Sequence, residues 1–126
     1  ILGIESSCDE TGLAIYSETY GLLCNVIHSQ ISLHQQYGGV IPELAARDHI
    51  QRLIPLLKET LTKANESLKN LAFPHSNAKP ITLESLSGIA FTSGPGLVGA
   101  LMTGAMFARA LAFALDKPAV AIHHLE

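Results

Sequence analysis

Between Glu84 and Arg109 the chain carries no charged side chain. That uncharged run, Ser85 to Ala108, constrains the fold more than any other feature. Two environments accept such a stretch: a lipid bilayer, or a core that buries a strand and a helix together. A membrane-spanning helix needs about 20 consecutive apolar residues. Gly94-Pro95-Gly96 interrupts the run and breaks any continuous helix, which excludes a membrane span and a membrane partner. The remaining reading is a strand over Leu86 to Thr92, a turn at Ser93-Gly94-Pro95-Gly96, and a long helix over Leu97 to Leu115. Asp116-Lys117-Pro118 stops that helix, and Ala119 to Ile122 forms a further strand. Strand, crossover helix and strand make the repeating unit of an α/β sheet.

The chain before this unit reads differently. Ile1 to Glu5 is an apolar run that ends in the polar turn Ser6-Ser7-Cys8-Asp9-Glu10-Thr11. Gly12 to Ser17 and Gly21 to Ser29 read as two more strands, and short strands joined by turns predict an antiparallel meander. Ser32 to Gly39 is polar, ends in Gly38-Gly39 and is expected to be a loop. Leu44, Ile50, Leu53, Ile54, Leu57, Leu61 and Ala64 then recur at helical spacing, opened by Pro42. Pro55 is expected to kink or split that helix, and the pattern fades from Asn65 to Leu83. Phe73 to Pro80 reads as a surface loop.

Composition narrows the function classes. The chain has 126 residues, of which 48% are hydrophobic and 15% charged. One domain accommodates that length, and the apolar excess suggests surfaces made to face another protein part. A net charge of −3 gives no basic field, so DNA binding has no support, although RNA as a substrate stays open. Cys8 and Cys24 are too few for a disulfide framework, and reduced thiols in a cytoplasmic protein are the expectation. No signal peptide opens the chain. Residue 1 is Ile, so the numbering is expected to begin inside a longer protein.

Three places invite chemistry, and each has a plainer reading. Gly94-Pro95-Gly96-Leu97-Val98-Gly99 fits the dinucleotide fingerprint G-x-G-x-x-G, and Asp116 stands near the ribose-acid spacing. Asp116 precedes the next strand instead of ending it, which argues against that match. Packing is the simpler explanation: Ala100, Gly104, Ala108 and Ala112 form a ridge of small residues that lets another element come close. The turn's N–H groups could also face an anion. Asp9 and Glu10 are either turn formers or carboxylates held at a site. Cys8, with no adjacent His in sequence, reads as a buried small residue. His123 and His124 end the last strand, where only one of the pair can aim into a given cleft. A single His is not a metal site, and residue type alone favours a structural role. His34, His49 and His75 show no ligand spacing and are expected to be solvated or capping. Arg109 is expected to be paired or at an interface.

Taken together, several stretches resemble one family. Ile1 to Thr11 (ILGIESSCDET), Tyr37 to His49 (YGGVIPELAARDH) and Thr92 to Leu101 (TSGPGLVGAL) are similar to the TsaD family of tRNA threonylcarbamoyladenosine synthases. His123-His124-Leu125-Glu126 resembles the start of that family's H-x-E-G-H metal motif. The likeness spans nearly the whole chain except Asn65 to Leu83. An older label for the family is glycoprotease or O-sialoglycoprotein endopeptidase.

The resemblance implies an α/β fold: one lobe of the actin-like (ASKHA) ATPase architecture, with a mixed five-stranded sheet and flanking helices, over residues 1–126. It implies transfer of threonylcarbamoyl from threonylcarbamoyl-adenylate to N6 of adenosine 37, in tRNAs that read codons beginning with A. It implies one divalent metal, iron or zinc, with His124 as a ligand. Asp9 and Glu10 match the family's acidic pair, thought to lie beside the reacting groups. Implied partners are a TsaB-like paralogue and a TsaE-like ATPase. Helix packing through Ala100, Gly104 and Ala108, or through Leu53, Leu57 and Leu61, is expected to supply the paralogue's face. The second His of the motif and a carboxylate from a second lobe lie outside these residues, so this stretch alone is expected to be inactive. Rival readings are a non-catalytic relative of the same superfamily, a sugar or acetate kinase lobe, and a metallopeptidase.

Overall fold

The structure is a computed structural model and describes residues 1–72 and 79–125. Its elements run β1 (Leu2–Glu5), β2 (Glu10–Ser17), β3 (Gly21–Ser29), α1 (Ile31–Gln35), α2 (Pro42–Ala72), β4 (Ile89–Gly94), α3 (Val98–Leu115) and β5 (Ala119–His123), with a 3-10 turn at Leu83–Ser85. The strands form a five-stranded sheet in the order β3-β2-β1-β4-β5. β1, β2 and β3 make the expected antiparallel meander, whereas β4 joins β1 in parallel and β5 joins β4 in parallel.

The period-2 pattern of the strands decides which face is covered. Leu2 and Ile4 of β1, Leu13 and Ile15 of β2, and Ile89 and Phe91 of β4 point to one side and are buried. On β3 the pairing shifts: Ile15 faces Cys24 but Tyr16 faces Leu22, which leaves Leu23 as the extra residue of a bulge. The bulge turns Leu23 into the same core as Val26. Leu53, Leu56, Leu57 and Ala64 from α2, and Ala108 and Ala112 from α3, close this core from above.

The long helix continues through Pro55 without a split, and it extends to Ala72, past the expected fade at Asn65. Proline removes one N–H, which leaves the Gln51 carbonyl without its usual partner. Both residues are exposed, so water satisfies that carbonyl at little cost. The core-facing stripe of α2 also differs from the expected one. Ile50 and Ile54 lie on the outer side, and Asp48, His49, Leu56 and Thr60 take inward places. Ser32 to Gln35, expected to be loop, belongs to the short helix α1. Of the loop expected over Phe73 to Pro80, residues 73–78, with His75, lie outside the described residues.

Helix α3 carries the small-residue ridge as expected: Ala100, Gly104, Ala108 and Ala112 are its buried residues. A Cβ on Gly104 would collide with the Ser6 side chain, so glycine lets the end of β1 press against the helix. By length and hydropathy α3 alone would suit a membrane. Its place between the parallel strands β4 and β5 makes it instead a crossover helix of one sheet. Asp116 ends α3 in the left-handed conformation, φ 55°, and Lys117 N–H bonds back to the Ala112 carbonyl at 2.9 Å. That is the arrangement of a Schellman cap.

Candidate functional site

In an open sheet with parallel strands, ligands gather beyond the strands' carboxyl ends. Here those ends are Glu5-Ser6-Ser7 after β1, Ser93-Gly94 in β4, and His123-His124 at β5. Backbone bonds hold the three together. Leu97 N–H donates to the Ser7 carbonyl at 2.8 Å, and His124 N–H donates to the Gly94 carbonyl at 2.6 Å. The Ser6 hydroxyl, buried, donates to the Ala100 carbonyl at 2.9 Å in the first turn of α3. A Cβ at Gly96 would come within 2.5 Å of the Ser7 carbonyl oxygen. The glycine-rich turn is thus a close-packing device, and its Leu97 N–H is spent on the protein's own backbone, not on an anion.

Side chains converge on one imidazole at this edge. His124 Nδ1 lies 3.2 Å from Glu5 Oε2 and 3.3 Å from Ser7 Oγ. The Thr92 hydroxyl donates to Glu5 Oε2 at 2.5 Å, and Ser7 N–H donates to Glu5 Oε1 at 2.6 Å. Partial burial disfavours charge on the Glu5 carboxyl. The hydrogen bonds from Ser7, Thr92 and His124 outweigh it and hold Glu5 below the usual carboxylate range. His123 turns elsewhere: its Nδ1 accepts the Leu125 N–H at 3.2 Å. His123 ends β5 and His124 opens the turn after it, and the two side chains make separate contacts.

The acidic pair sits on the neighbouring hairpin. Asp9 lies in the β1–β2 turn, half-buried, and its carbonyl accepts the Gln30 N–H at 2.9 Å. Glu10 is the first residue of β2, opposite Ser29, and its side chain is exposed. It lines the uncovered face of the sheet together with Glu5, Gly12 and Thr92. Cys8 stays a thiol, because burial and the adjacent Asp9 both push its ionisation up.

Two histidines expected to be solvated or capping prove to be buried clamps of this region. His49 is 0% exposed. Its Nε2 donates to the Cys8 carbonyl at 2.8 Å, so its Nδ1 accepts the Thr11 hydroxyl at 2.6 Å. The acidic turn is therefore pinned at both ends to α2. His34 is likewise buried: Nε2 donates to Gln30 Oε1 at 2.7 Å, and Nδ1 accepts the Ile41 N–H at 3.1 Å. It ties down the Gly38-Gly39 segment between α1 and α2. Arg109, outside the site, lies over the Phe91 ring at 5.3 Å.

Among the described residues no group of three His, Cys, Asp or Glu side chains is close enough to hold a metal. His124 still fits one ligand position. Its Nδ1 is engaged by Glu5 and Ser7, while Nε2 makes no hydrogen bond among the described residues.

Known proteins give this geometry a family. The sequence model described as TsaD, tRNA N6-adenosine threonylcarbamoyltransferase, matches residues 21–73 and 75–126. The tRNA N6-adenosine threonylcarbamoyltransferases of the Corby and Paris strains of Legionella pneumophila are 53% identical over 126 residues, covering 100% of this chain and 33% of theirs. The chain thus spans about a third of the length of the curated relatives it matches. YeaZ from Pseudomonas aeruginosa superposes with a TM-score of 0.60 at 23% identity, over 97% of this chain and 42% of that one. A second structure, titled an uncharacterized protein with similarity to peptidase YEAZ from Pseudomonas aeruginosa, gives 0.58 at 24% identity with the same coverage. These two similarities carry the fold alone, which is the actin-like lobe with its mixed five-stranded sheet. By sequence, the chain belongs to the TsaD family of tRNA N6-adenosine threonylcarbamoyltransferases.

Proposed function

We propose that residues 1–126 form the first lobe of an enzyme that moves threonylcarbamoyl from threonylcarbamoyl-adenylate to N6 of adenosine 37 in tRNAs reading ANN codons. One observation supports this above the others. In a chain of this family, Glu5 and Ser7 contact His124 while Thr92 holds Glu5, at the carboxyl ends of β1, β4 and β5. His124 is the protein ligand for one divalent metal, iron or zinc, and a second lobe completes the site. When bound, the metal polarises the acyl carbonyl as a Lewis acid.

The chain's own groups do the remaining work. The N6 amine attacks the acyl carbon, the C–N bond forms, and the mixed-anhydride C–O bond breaks to release AMP. Asp9 or Glu10 takes the proton that the amine gives up. Because the adenylate is already a good leaving group, orientation is the larger task. The clamping of the acidic turn by His49 suits that task. The reaction is cytoplasmic, where charged adenylate and tRNA meet. A TsaB-like paralogue and a TsaE-like ATPase complete the system.

Burial of the residues expected to form the paralogue's face favours a different docking face. Ala100, Gly104, Ala108, Leu53 and Leu57 are spent on the lobe's own core. Ile50 and Ile54 of α2, with Val98, Met102 and Met106 of α3, are exposed and apolar, and these accept the partner.

The test uses the full-length protein with its partners, purified tRNA and threonylcarbamoyl-adenylate, with modified nucleoside read by mass spectrometry. Asp9→Ala is expected to lower transfer at least 100-fold while metal content stays at the parent level. Full turnover by Asp9→Ala and by Glu10→Ala would remove both from the reaction. Absence of the modified nucleoside with the parent protein would sink the activity itself.

A further inference from the structure

Glu5 went unremarked in the sequence as the end of an apolar strand, yet it has the most restrained carboxylate in the site. Each of its oxygens is taken by a fixed donor: Oε1 by Ser7 N–H at 2.6 Å and Oε2 by the Thr92 hydroxyl at 2.5 Å. One donor comes from the turn after β1 and the other from β4, so the carboxylate plane is set by two adjacent strands of the sheet. Against this fixed acceptor lies His124 Nδ1, at 3.2 Å. An ionised carboxylate only accepts, so Nδ1 carries the proton and is the donor. Ser7 Oγ, at 3.3 Å from the same nitrogen, shares that proton. The Nε2 lone pair is thereby left facing outward.

We infer that Glu5 is a positioning residue that fixes the tautomer and ring orientation of His124 and so presents Nε2 to the metal. The inference rests on the reading of His124 as a ligand. Imidazoles that bind metals commonly hand their second N–H to a carboxylate, and losing that partner weakens metal binding about 10–100-fold. A plain ion pair joining β1 to the end of β5 is the competing role. Both side chains are about 40% exposed, at 41% for His124 and 40% for Glu5, so such a pair contributes little to stability. It needs no clamp on both carboxylate oxygens, and it predicts no change in metal affinity.

The experiment uses the metal-free full-length protein and zinc as the probe. Zinc affinity is measured by competition with a chromogenic chelator, and thermal unfolding of each metal-free variant reports folding separately. Glu5→Ala is expected to bind zinc 10–100-fold more weakly than the parent. Glu5→Gln, which keeps a neutral acceptor of the same shape, should fall between them. Thr92→Val, which frees one side of the carboxylate, should weaken binding a few-fold. Substitution of cobalt for zinc should show a changed visible absorption spectrum in Glu5→Ala. His124→Ala serves as the reference. If it loses zinc while both Glu5 variants bind like the parent, the positioning role is wrong and the metal reading stands. If His124→Ala itself binds like the parent, both fail together. If Glu5→Ala does not fold, the isosteric Glu5→Gln decides by the same measurement.

Discussion

His49 shows how a buried imidazole holds the acidic turn. Its two nitrogens serve opposite roles, donating to Cys8 and accepting from Thr11, and this works only in the neutral form. Burial pushes its ionisation below the ordinary histidine value. The bond to the Cys8 carbonyl and the nearby Asp48, Glu5 and Asp9 push the other way without prevailing. Because the folded state resists the proton more than the unfolded chain, the unfolded chain gains protons first as pH falls. The stability is therefore present above about pH 6.5 and is lost as pH drops below it. Urea unfolding midpoints at pH 7.5 and 5.5 should show this loss in the parent and a smaller one in His49→Gln. His49→Leu leaves a buried hydroxyl and a carbonyl unpaired, and should cost about 2–4 kcal/mol at pH 7.5. Reading from sequence erred here for a physical reason. Spacing reveals ligand sets and helix faces, but the partners of His49 come from residues 38 and 41 positions away. Asp9, Glu10 and His124 were singled out through the family resemblance, since their places at strand ends left turn-forming and structural readings open. Glu5 could not be, because its partners Thr92 and His124 arrive from β4 and the end of β5.

Among the long helices, α3 was the more legible and α2 the less. The ridge of Ala100, Gly104, Ala108 and Ala112 repeats every four residues, and small residues at that interval have few uses other than close approach. The stripe of α2 misled because Ile50 and Ile54 look like core while Asp48, His49 and Thr60 look like surface. Polar groups that find partners inside the fold invert the expected pattern: the Thr60 hydroxyl bonds the Leu56 carbonyl at 2.6 Å, and both His49 nitrogens are hydrogen-bonded. The contact of α3 with β1 can be tested at Gly104. Alanine improves helix propensity by about 1 kcal/mol, but its methyl would meet the Ser6 side chain. Overpacking of this kind costs about 1–3 kcal/mol, so Gly104→Ala is expected to lower stability by up to about 2 kcal/mol net. The double variant Ser6→Ala/Gly104→Ala removes the colliding oxygen. It should lose less than the sum of the single variants, with a coupling of at least 0.5 kcal/mol by denaturant unfolding.

For the whole molecule the question is why 48% of the residues are hydrophobic when so many of them stay outside the core. Phe113 is 89% exposed, Met106 65% and Ile50 64%. The uncovered face of the sheet adds Ile27 beside Gly12 and Ala14. The composition led to the expectation of surfaces made to face another protein part, and large apolar side chains are exposed. It could not say which ones, because the ridge and the stripe that stood out by periodicity are those the lobe uses for itself. The outer faces of α2 and α3 are the remaining candidates. The two helices pack against each other, and a Cβ on Gly99 would approach Ala46 at 3.3 Å. Met106 makes the sharper test of the pair, since unbranched thioether side chains adapt to a partner and a charge among them does not. Placing a carboxylate in an apolar interface centre leaves it desolvated and unpaired, at a cost of several kcal/mol. Met106→Glu is therefore expected to weaken binding of the TsaB-like paralogue at least 30-fold by titration calorimetry. Its unfolding midpoint should stay within about 0.5 kcal/mol of the parent, because the site is already in water in the free lobe. Lys69→Glu, near the far end of α2, is the matched control and should leave affinity unchanged. Equal affinity of the Met106→Glu variant and the parent would move the partner off these helices.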